Sequence, residues 1–266
     1  MPDERHSEVI RRSFERQVPL FSGPDSPFAS RAGSSRSWIE PLSRDMVVLD
    51  VACGAAHASE PLASAVRQVV GVDLTAALLD VGAQRLRDVG IENVLLQEAN
   101  AEALPFVDES FDIVFCRSSL HHFADPEQAV AEMTRVCRVG GRIVLVDLVA
   151  PHPEVRDRFD DVHRLLDPSH VRTFLERELA DVLPGGIDDL VFADTSTIRL
   201  PIDVAFSEQS DRERVMTLLA ADASAEGAPT GFDPVEEDGT FVVSFVTCVV
   251  QSERREQRKP KRAPNE

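Results

Sequence analysis

Between Met46 and Leu148, five short, predominantly apolar runs alternate with helical patterns. The runs are Met46–Val51, Val69–Val72, Val94–Leu96, Phe111–Cys116 and Ile143–Leu148. A strand that is apolar at every position is buried on both faces, and helices placed between such strands supply the cover. The pattern therefore predicts a parallel sheet sandwiched by helices. Thr75 is positioned to cap a helix carrying Leu78, Leu79 and Leu86, with Gly90 as its stop. Asp125-Pro126 opens another, with Val130, Met133, Val136 and Cys137 on one face.

The flanks divide the chain. Residues 1–44 are polar and interrupted by Pro19, Pro24, Pro27 and Pro41, while Val9, Ile10, Phe14 and Val18 recur at helical spacing. They are expected to form an N-terminal helical cap. Residues 45–250 read as one α/β domain, with a core at 45–150 and a substrate-side and edge-strand region at 151–250. In that second part, 154–182 looks helical with a break at Asp167-Pro168, and Leu190–Phe192 and Ile198–Leu200 are short strand candidates. Ser210 with Glu213 forms a capping-box pattern ahead of Val215, Leu218 and Leu219. Thr240–Val250 is a long β-rich run, and the late strands fit an antiparallel pair at one sheet edge. Residues 251–266 are expected to be a disordered charged tail.

Composition removes several function classes. Lys+Arg number 28 against 46 Asp+Glu, a formal net charge of −18. That disfavours nucleic-acid binding, which depends on basic side chains tracking phosphates. Tyrosine is absent, and lysine occurs only at Lys259 and Lys261, which argues against P-loop, Schiff-base and lysine-base chemistry. Cys53, Cys116, Cys137 and Cys248 form no CxxC pair. No zinc or disulfide framework is expected, and a reducing compartment fits. The N-terminus lacks an apolar signal region and no run reaches the length of a spanning helix, so the expectation is a cytoplasmic protein without membrane contact.

The strongest local signal is VVLDVACGAAH at 47–57, a buried strand running into Asp50, a turn of small residues and a helical start. Asp73 follows 23 residues after Asp50, at the end of the next strand. Small residues let a ligand approach the backbone, and a carboxylate at a strand's end can accept both hydroxyls of a ribose. Only Gly54 of the turn is a glycine, so a dinucleotide pyrophosphate is poorly served. Asp50 would repel a phosphate and attract an ammonium group. A ligand with a ribose, no phosphate and an amino-acid end fits best, and S-adenosylmethionine is such a ligand. An NAD-dependent oxidoreductase is a more distant alternative.

On VLDVACGAAH (48–57), VVGVDLT (69–75), ANAEALPFVDESFDIVFCRSSLHHF (99–123) and MTRVCRVGGRIVLVDLVAP (133–151), the chain resembles the class I S-adenosylmethionine-dependent methyltransferases. Within them it is most similar to the methyltransferase type 11 group of small-molecule enzymes related to the ubiquinone/menaquinone-biosynthesis C-methyltransferases. Fainter likeness extends to LLDPSHVR (165–172). The resemblance implies a Rossmann-like fold: a seven-stranded, mostly parallel sheet with an antiparallel edge strand and helices on both faces. It implies methyl transfer from S-adenosylmethionine to a small organic acceptor by in-line displacement. The glycine-rich loop falls on residues 50–56, placing Asp50, Ala52, Cys53, Gly54 and Ala56 at the methionine end. Asp73 and Leu74 match the ribose side, Asn100 and Ala101 the adenine side, and Arg117 begins a segment through His122 that faces the methyl group and acceptor.

Three positions depart from the family pattern: Ala56 for the loop's last glycine, Asn100 for the adenine-side acid, and Val139 for a proline before Gly140-Gly141. Alanine at 56 weakens the site if a positive φ is required and is neutral in an α-like conformation. Asn100 can still accept from the adenine amino group through its amide oxygen. His122, with His170 as its rival, is the candidate base, needed only if the acceptor must lose a proton. The adjacent His121 and His122 point apart, and no metal site is expected. The helix at 7–18 and the segment near 207–222 are candidate lids. Phe14, Phe21, Phe28, Trp38 and Phe206 suggest a largely apolar acceptor. The alternative function is a catalytically silent protein of this fold that binds S-adenosylmethionine or S-adenosylhomocysteine as a regulatory module. The acceptor, the atom methylated and the oligomeric state stay open at this point.

Overall fold

The computed structural model describes residues 4–22, 38–206, 210–225 and 229–255. Five strands form the parallel part of the sheet: β1 (Val47–Val51), β2 (Gln68–Asp73), β3 (Val94–Glu98), β4 (Phe111–Arg117) and β5 (Cys137–Val149). Three more complete it: β6 (Leu190–Pro201), β7 (Val235–Glu237) and β8 (Thr240–Glu253). The order along the sheet is β3-β2-β1-β4-β5-β8-β6, with the short β7 pairing to β8. Seven strands thus lie on the main path, as expected. Strands β1 to β5 pair in parallel, whereas β8 runs antiparallel to β5, β6 and β7. The antiparallel pair sits at the sheet edge, with β8 inside and β6 outside.

Helices α2 (Ala76–Asp88) and α3 (Pro126–Val136) are the two crossovers read from the sequence. Asp125 caps α3 by accepting from the Gln128 N–H at 2.9 Å. Thr75 makes no such cap for α2; the Asp73 carboxylate takes the Thr75 N–H instead, at 2.8 Å. Further on come α4 (Arg156–Leu166), α5 (Glu176–Asp181) and α6 (Arg212–Ala223), preceded in the chain by α1 (Glu4–Phe21). Asp211, rather than Ser210, caps α6 through the Arg214 N–H; Ser210 donates to the Leu166 carbonyl.

Alternate residues of the central strands feed two cores. Leu49, Val51, Val114, Ile143 and Leu145 pack with Val130, Met133 and Leu179 on one face. Val48, Ile113, Val144 and Val249 pack with Ile39, Leu62 and Leu86 on the other. A third cluster joins α4 to α6 through Phe159, Val162, Val215, Leu219 and Phe232. This places α6 in a packed core, so a lid built from the 207–222 segment lacks support in its described part. Phe206 lies against the same cluster, with the Arg212 guanidinium 4.4 Å from its ring centroid.

Two boundaries differ from the sequence reading. Strand β6 is continuous across Ala193–Thr197, where a break was expected. Its outer side has no partner strand among the described residues, so Asp194, Thr195 and Ser196 remain solvated within a strand. Strand β8 runs to Glu253 with Gln251 and Ser252 buried, so the charged tail begins later than residue 251. Residues 256–266 of the expected tail, and Phe28, lie outside the described residues.

Candidate active site

The strand order reverses at β1, whose successors lie on one side as β2 and β3 and on the other as β4 and β5. Ligands of open α/β sheets bind at such a point, outside the carboxyl ends of the strands. A cavity of about 520 Å³ lies there. It is lined by Asp50, Ala52, Cys53, Gly54, Asp73, Leu74, Asn100, Ala101, Arg117 and His122 among the residues expected from sequence. Ala56 and His170 do not line it. Ala56 is fully buried in the core with Val48 and Leu62, and His170 sits behind the wall.

The loop after β1 places Ala52, Gly54 and Ala56 in the left-handed region, with φ of 56°, 53° and 59°. Alternating left-handed residues let the loop turn tightly, with the Cys53 N–H on the Val72 carbonyl and the Ala56 N–H on the Cys53 carbonyl, both at 2.9 Å. The Asp73 carboxylate fixes the result: one oxygen accepts the Gly54 N–H and the other the Thr75 N–H, both at 2.8 Å. A carboxylate has about four acceptor sites, so this anchoring leaves capacity for a ribose. Burial raises the Asp73 pKa, against the opposing pull of those N–H groups.

Asp50 is 1% exposed and accepts the Ser59 hydroxyl at 2.6 Å. Burial lifts its pKa to about 7, opposed by Ser59 and by the Arg117 charge. The same burial holds the Cys53 and Cys116 thiols protonated. On the adenine side the Asn100 amide oxygen accepts the Glu102 N–H at 2.8 Å. His57 donates Nε2–H to the Phe21 carbonyl at 3.0 Å, and burial pulls its pKa to about 4.

Helix α1 covers the cavity. It contributes His6, Ser7, Ile10, Phe14, Gln17, Leu20 and Phe21 to the lining. Its most buried residues are Ser7, Ser13 and Gln17, while Val9 is exposed, so the inner face is more polar than its hydrophobic spacing predicts. The reason is Asp167, which accepts from the Ser13 hydroxyl at 2.8 Å and the Gln17 amide at 2.9 Å. His6 further bonds the His122 carbonyl at 2.7 Å. The helix is thus fastened by hydrogen bonds as well as by apolar contact.

Beyond Arg117, a 3-10 turn at Leu120–His122 presents two histidines. The Ser169 hydroxyl donates to Asp167 at 2.7 Å and lies 3.0 Å from His122 Nδ1. With that proton committed, Nδ1–H must be the donor to Ser169, leaving the unprotonated Nε2 as the basic atom. Burial lowers the His122 pKa to about 4, so the ring is neutral at neutral pH. Burial opposes ionisation of Asp167, but His122 and the bonds from Ser169 and Gln17 hold its pKa below the usual range.

His121 lies in the Arg117–His122 segment expected to face the acceptor, and it lines the cavity. Its Nδ1 forms a short bond with Asp147, which is fully buried inside β5. Burial alone would depress the His121 pKa; the Asp147 carboxylate reverses this and raises it. A carboxylate inside the apolar run IVLVDLV was the available signal. His163, which was unanticipated, lines the cavity from α4. His170 bonds Asp160 through Nε2 at 2.8 Å, and burial pushes its pKa down to about 2.

A Rossmann-like sheet, a carboxylate-anchored loop of left-handed residues and a cavity at the switch point define the class I methyltransferase architecture. The polar groups suit S-adenosylmethionine: the Asp50 and Asp73 carboxylates as acceptors, and Arg117 as the single Arg or Lys among the described lining residues, too few cations for a pyrophosphate. Residues 49–145 match the methyltransferase domain family. The uncharacterized methyltransferase YcgJ of Bacillus subtilis is 35% identical over 198 residues, covering 72% of this chain and 78% of its own. The uncharacterized protein YafE of Escherichia coli is 36% identical over 188 residues, 68% of this chain and 88% of its own. The crystal structure of YcgJ superposes with a TM-score of 0.71 at 27% identity, covering 86% of this chain and 98% of that one. The chain belongs to the methyltransferase family and is an S-adenosylmethionine-dependent enzyme of it. No helix among the described residues is long and apolar enough to cross a membrane.

Proposed function

We propose that the enzyme methylates a small, largely apolar acceptor held between the cofactor crevice and the β6–β8 edge. The observation that carries this reading is the extent of the cavity. Past the histidines its lining is largely apolar, with Leu148, Leu166, Ile198, Leu200, Val204 and Phe245, beside the polar Asp194, Ser196 and Thr247 of the β6–β8 edge. An apolar molecule gains about 25 cal/mol for each Å² it buries there. The partial relative named as a ubiquinone/menaquinone biosynthesis C-methyltransferase, from Hahella chejuensis, is 38% identical over 120 residues, 48% of its length. Its named pathway agrees with an apolar acceptor class.

When bound, S-adenosylmethionine supplies an activated methyl group whose leaving group is a neutral thioether. The protein's task is alignment and exclusion of water. Asp73 orients the loop, Asp50 and Arg117 set the charge at the strand ends, and α1 closes the crevice. His122 accepts a proton at Nε2 when the acceptor carries one, with Ser169 and Asp167 fixing its tautomer. His170, the other candidate base, is behind the wall, with its Nε2–H given to Asp160.

The test is transfer of labelled methyl groups to a panel of phenols, quinols and apolar carbon acids. His122→Asn should lower turnover by about 10²–10⁴-fold, the usual contribution of a general base. Binding of S-adenosylhomocysteine should be nearly unchanged. Turnover unaffected by His122→Asn would leave alignment alone as the source of catalysis. Cofactor binding with no transfer across the panel would favour the regulatory-module alternative.

A further inference from the structure

Behind His122 lies a group of side chains that the proposed reaction does not use. His121, His163 and His170 come from the 3-10 turn, from α4 and from the loop after it, and all three are buried. One ring nitrogen from each lies within 4.8 Å of the others. We propose that these three histidines bind one divalent transition-metal ion of the zinc type, with its open position facing the acceptor lobe.

The hydrogen bonds determine which nitrogens are available. His121 spends Nδ1 on Asp147, so Nε2 is the atom left to ligate, and a metal binding there displaces its proton. His170 gives Nε2–H to Asp160, so its Nδ1 carries the lone pair. That Nδ1 is buried with no hydrogen-bond partner, and so is Nδ1 of His163. A buried polar atom without a partner costs about 1–3 kcal/mol, and two in adjacent rings require a reason. A cation satisfies both. Burial keeps His163 and His170 neutral, the form that ligates.

The surroundings also match a metal centre. Ligating histidines characteristically donate their second N–H to a carboxylate, which fixes the ring. Asp147 does so for His121 and Asp160 for His170; Asp160 also accepts the Thr173 N–H at 2.8 Å, so it is itself held. Three histidines with one open coordination site is the ligand set of several catalytic zinc centres. Here His121 and His163 line the cavity, so an acceptor oxygen could occupy the fourth position. Zinc–nitrogen bonds of about 2.0–2.1 Å put tetrahedral ligand atoms roughly 3.4 Å apart. The rings must therefore close by up to about 1.4 Å. His163 and His170 are stacked with centroids 4.3 Å apart and planes 11° from parallel. Coordination by both requires the His163 ring to turn out of this stack.

The site depends on the fold alone and goes beyond the proposed reaction. The experiment is a Co²⁺ titration of untagged, chelator-treated protein, followed by visible absorption. The expected result is one equivalent bound with the intense bands of tetrahedral cobalt, displaced by Zn²⁺. His163→Gln and His170→Gln should each weaken binding by 100-fold or more. Asp160→Asn, which keeps all three ligands, should weaken it by about 10–100-fold. Calorimetry with S-adenosylhomocysteine establishes that each variant is folded; where a histidine variant is not, Asp160→Asn decides. No tetrahedral band in the wild type, or an unchanged band in the folded variants, overturns the proposal. Loss of cofactor binding or methyl transfer in metal-free wild type leaves this outcome untouched.

Discussion

Ala56 offers a quantitative test, because its environment fixes three opposing terms. Its φ of 59° is left-handed, which costs an L-residue about 1–2 kcal/mol. Ala56→Gly removes that cost. It also removes a methyl group that is fully buried against the second core, about 0.8 kcal/mol, and loosens the unfolded chain by about 0.4–1 kcal/mol. The sum is within about 1 kcal/mol of zero, a shift in Tm of no more than about 4 °C for a domain this size. Ala52 is only partly buried, with the same strain at φ 56°, so Ala52→Gly should be the more stabilising change. Thermal and denaturant unfolding, with and without S-adenosylhomocysteine, measure both. Cofactor affinity should move by less than about tenfold, or 1.4 kcal/mol. A gain of more than about 2 kcal/mol from Ala56→Gly would refute the balance and show the natural loop to be a crippled binder. Loss of more than that from both variants would refute the left-handed assignment.

Three further outcomes follow from named contacts. Asp50 has its pKa raised from 3.8 to about 7, so it favours the folded state when protonated; its stabilising contribution is full below about 4 and is lost as pH rises through 7. A bound cation pulls that pKa down, so cofactor affinity should strengthen with pH up to about 7 and then level, and calorimetry on Asp50→Asn should show a flat profile. Ser13→Ala with Gln17→Ala removes the two bonds from α1 to the Asp167 carboxylate, each worth about 1.5–3 kcal/mol. Stopped-flow release of S-adenosylhomocysteine should accelerate at least tenfold, and an unchanged rate would mean α1 is no lid. Ser169→Ala removes the hydroxyl that orients His122, so kcat should fall less than in His122→Asn with little change in KM, while equal losses would make Ser169 part of the chemistry itself.

The parts of the molecule that were legible share a cause. Strands β1, β2, β4 and β5 are buried on both faces, so their apolar runs announce them, and the Asp50–Asp73 spacing marks the switch point they create. The parts that were missed are governed by tertiary partners. Strand β6 was divided in two because an edge strand tolerates Asp194–Ser196. The inner face of α1 differs from its hydrophobic spacing because Asp167, 150 or more positions away, gives Ser13 and Gln17 a reason to be buried. The His121–Asp147 pair spans 26 residues and joins a turn to the middle of a strand. No local pattern contains it, although a lone carboxylate in an apolar strand was visible. His163 and His170 meet only because the chain turns at Asp167-Pro168.

The account rests on the crevice between β1 and β4 being a site for S-adenosylmethionine, with Asp73 at its centre. Isothermal titration of wild type and Asp73→Ala with S-adenosylhomocysteine and with NAD tests this most directly. The prediction is one equivalent of S-adenosylhomocysteine bound by the wild type, no measurable heat from NAD, and a loss of about 100-fold or more in Asp73→Ala, corresponding to two charge-assisted hydrogen bonds. NAD binding in preference to S-adenosylhomocysteine, or full S-adenosylhomocysteine affinity in folded Asp73→Ala, would contradict it.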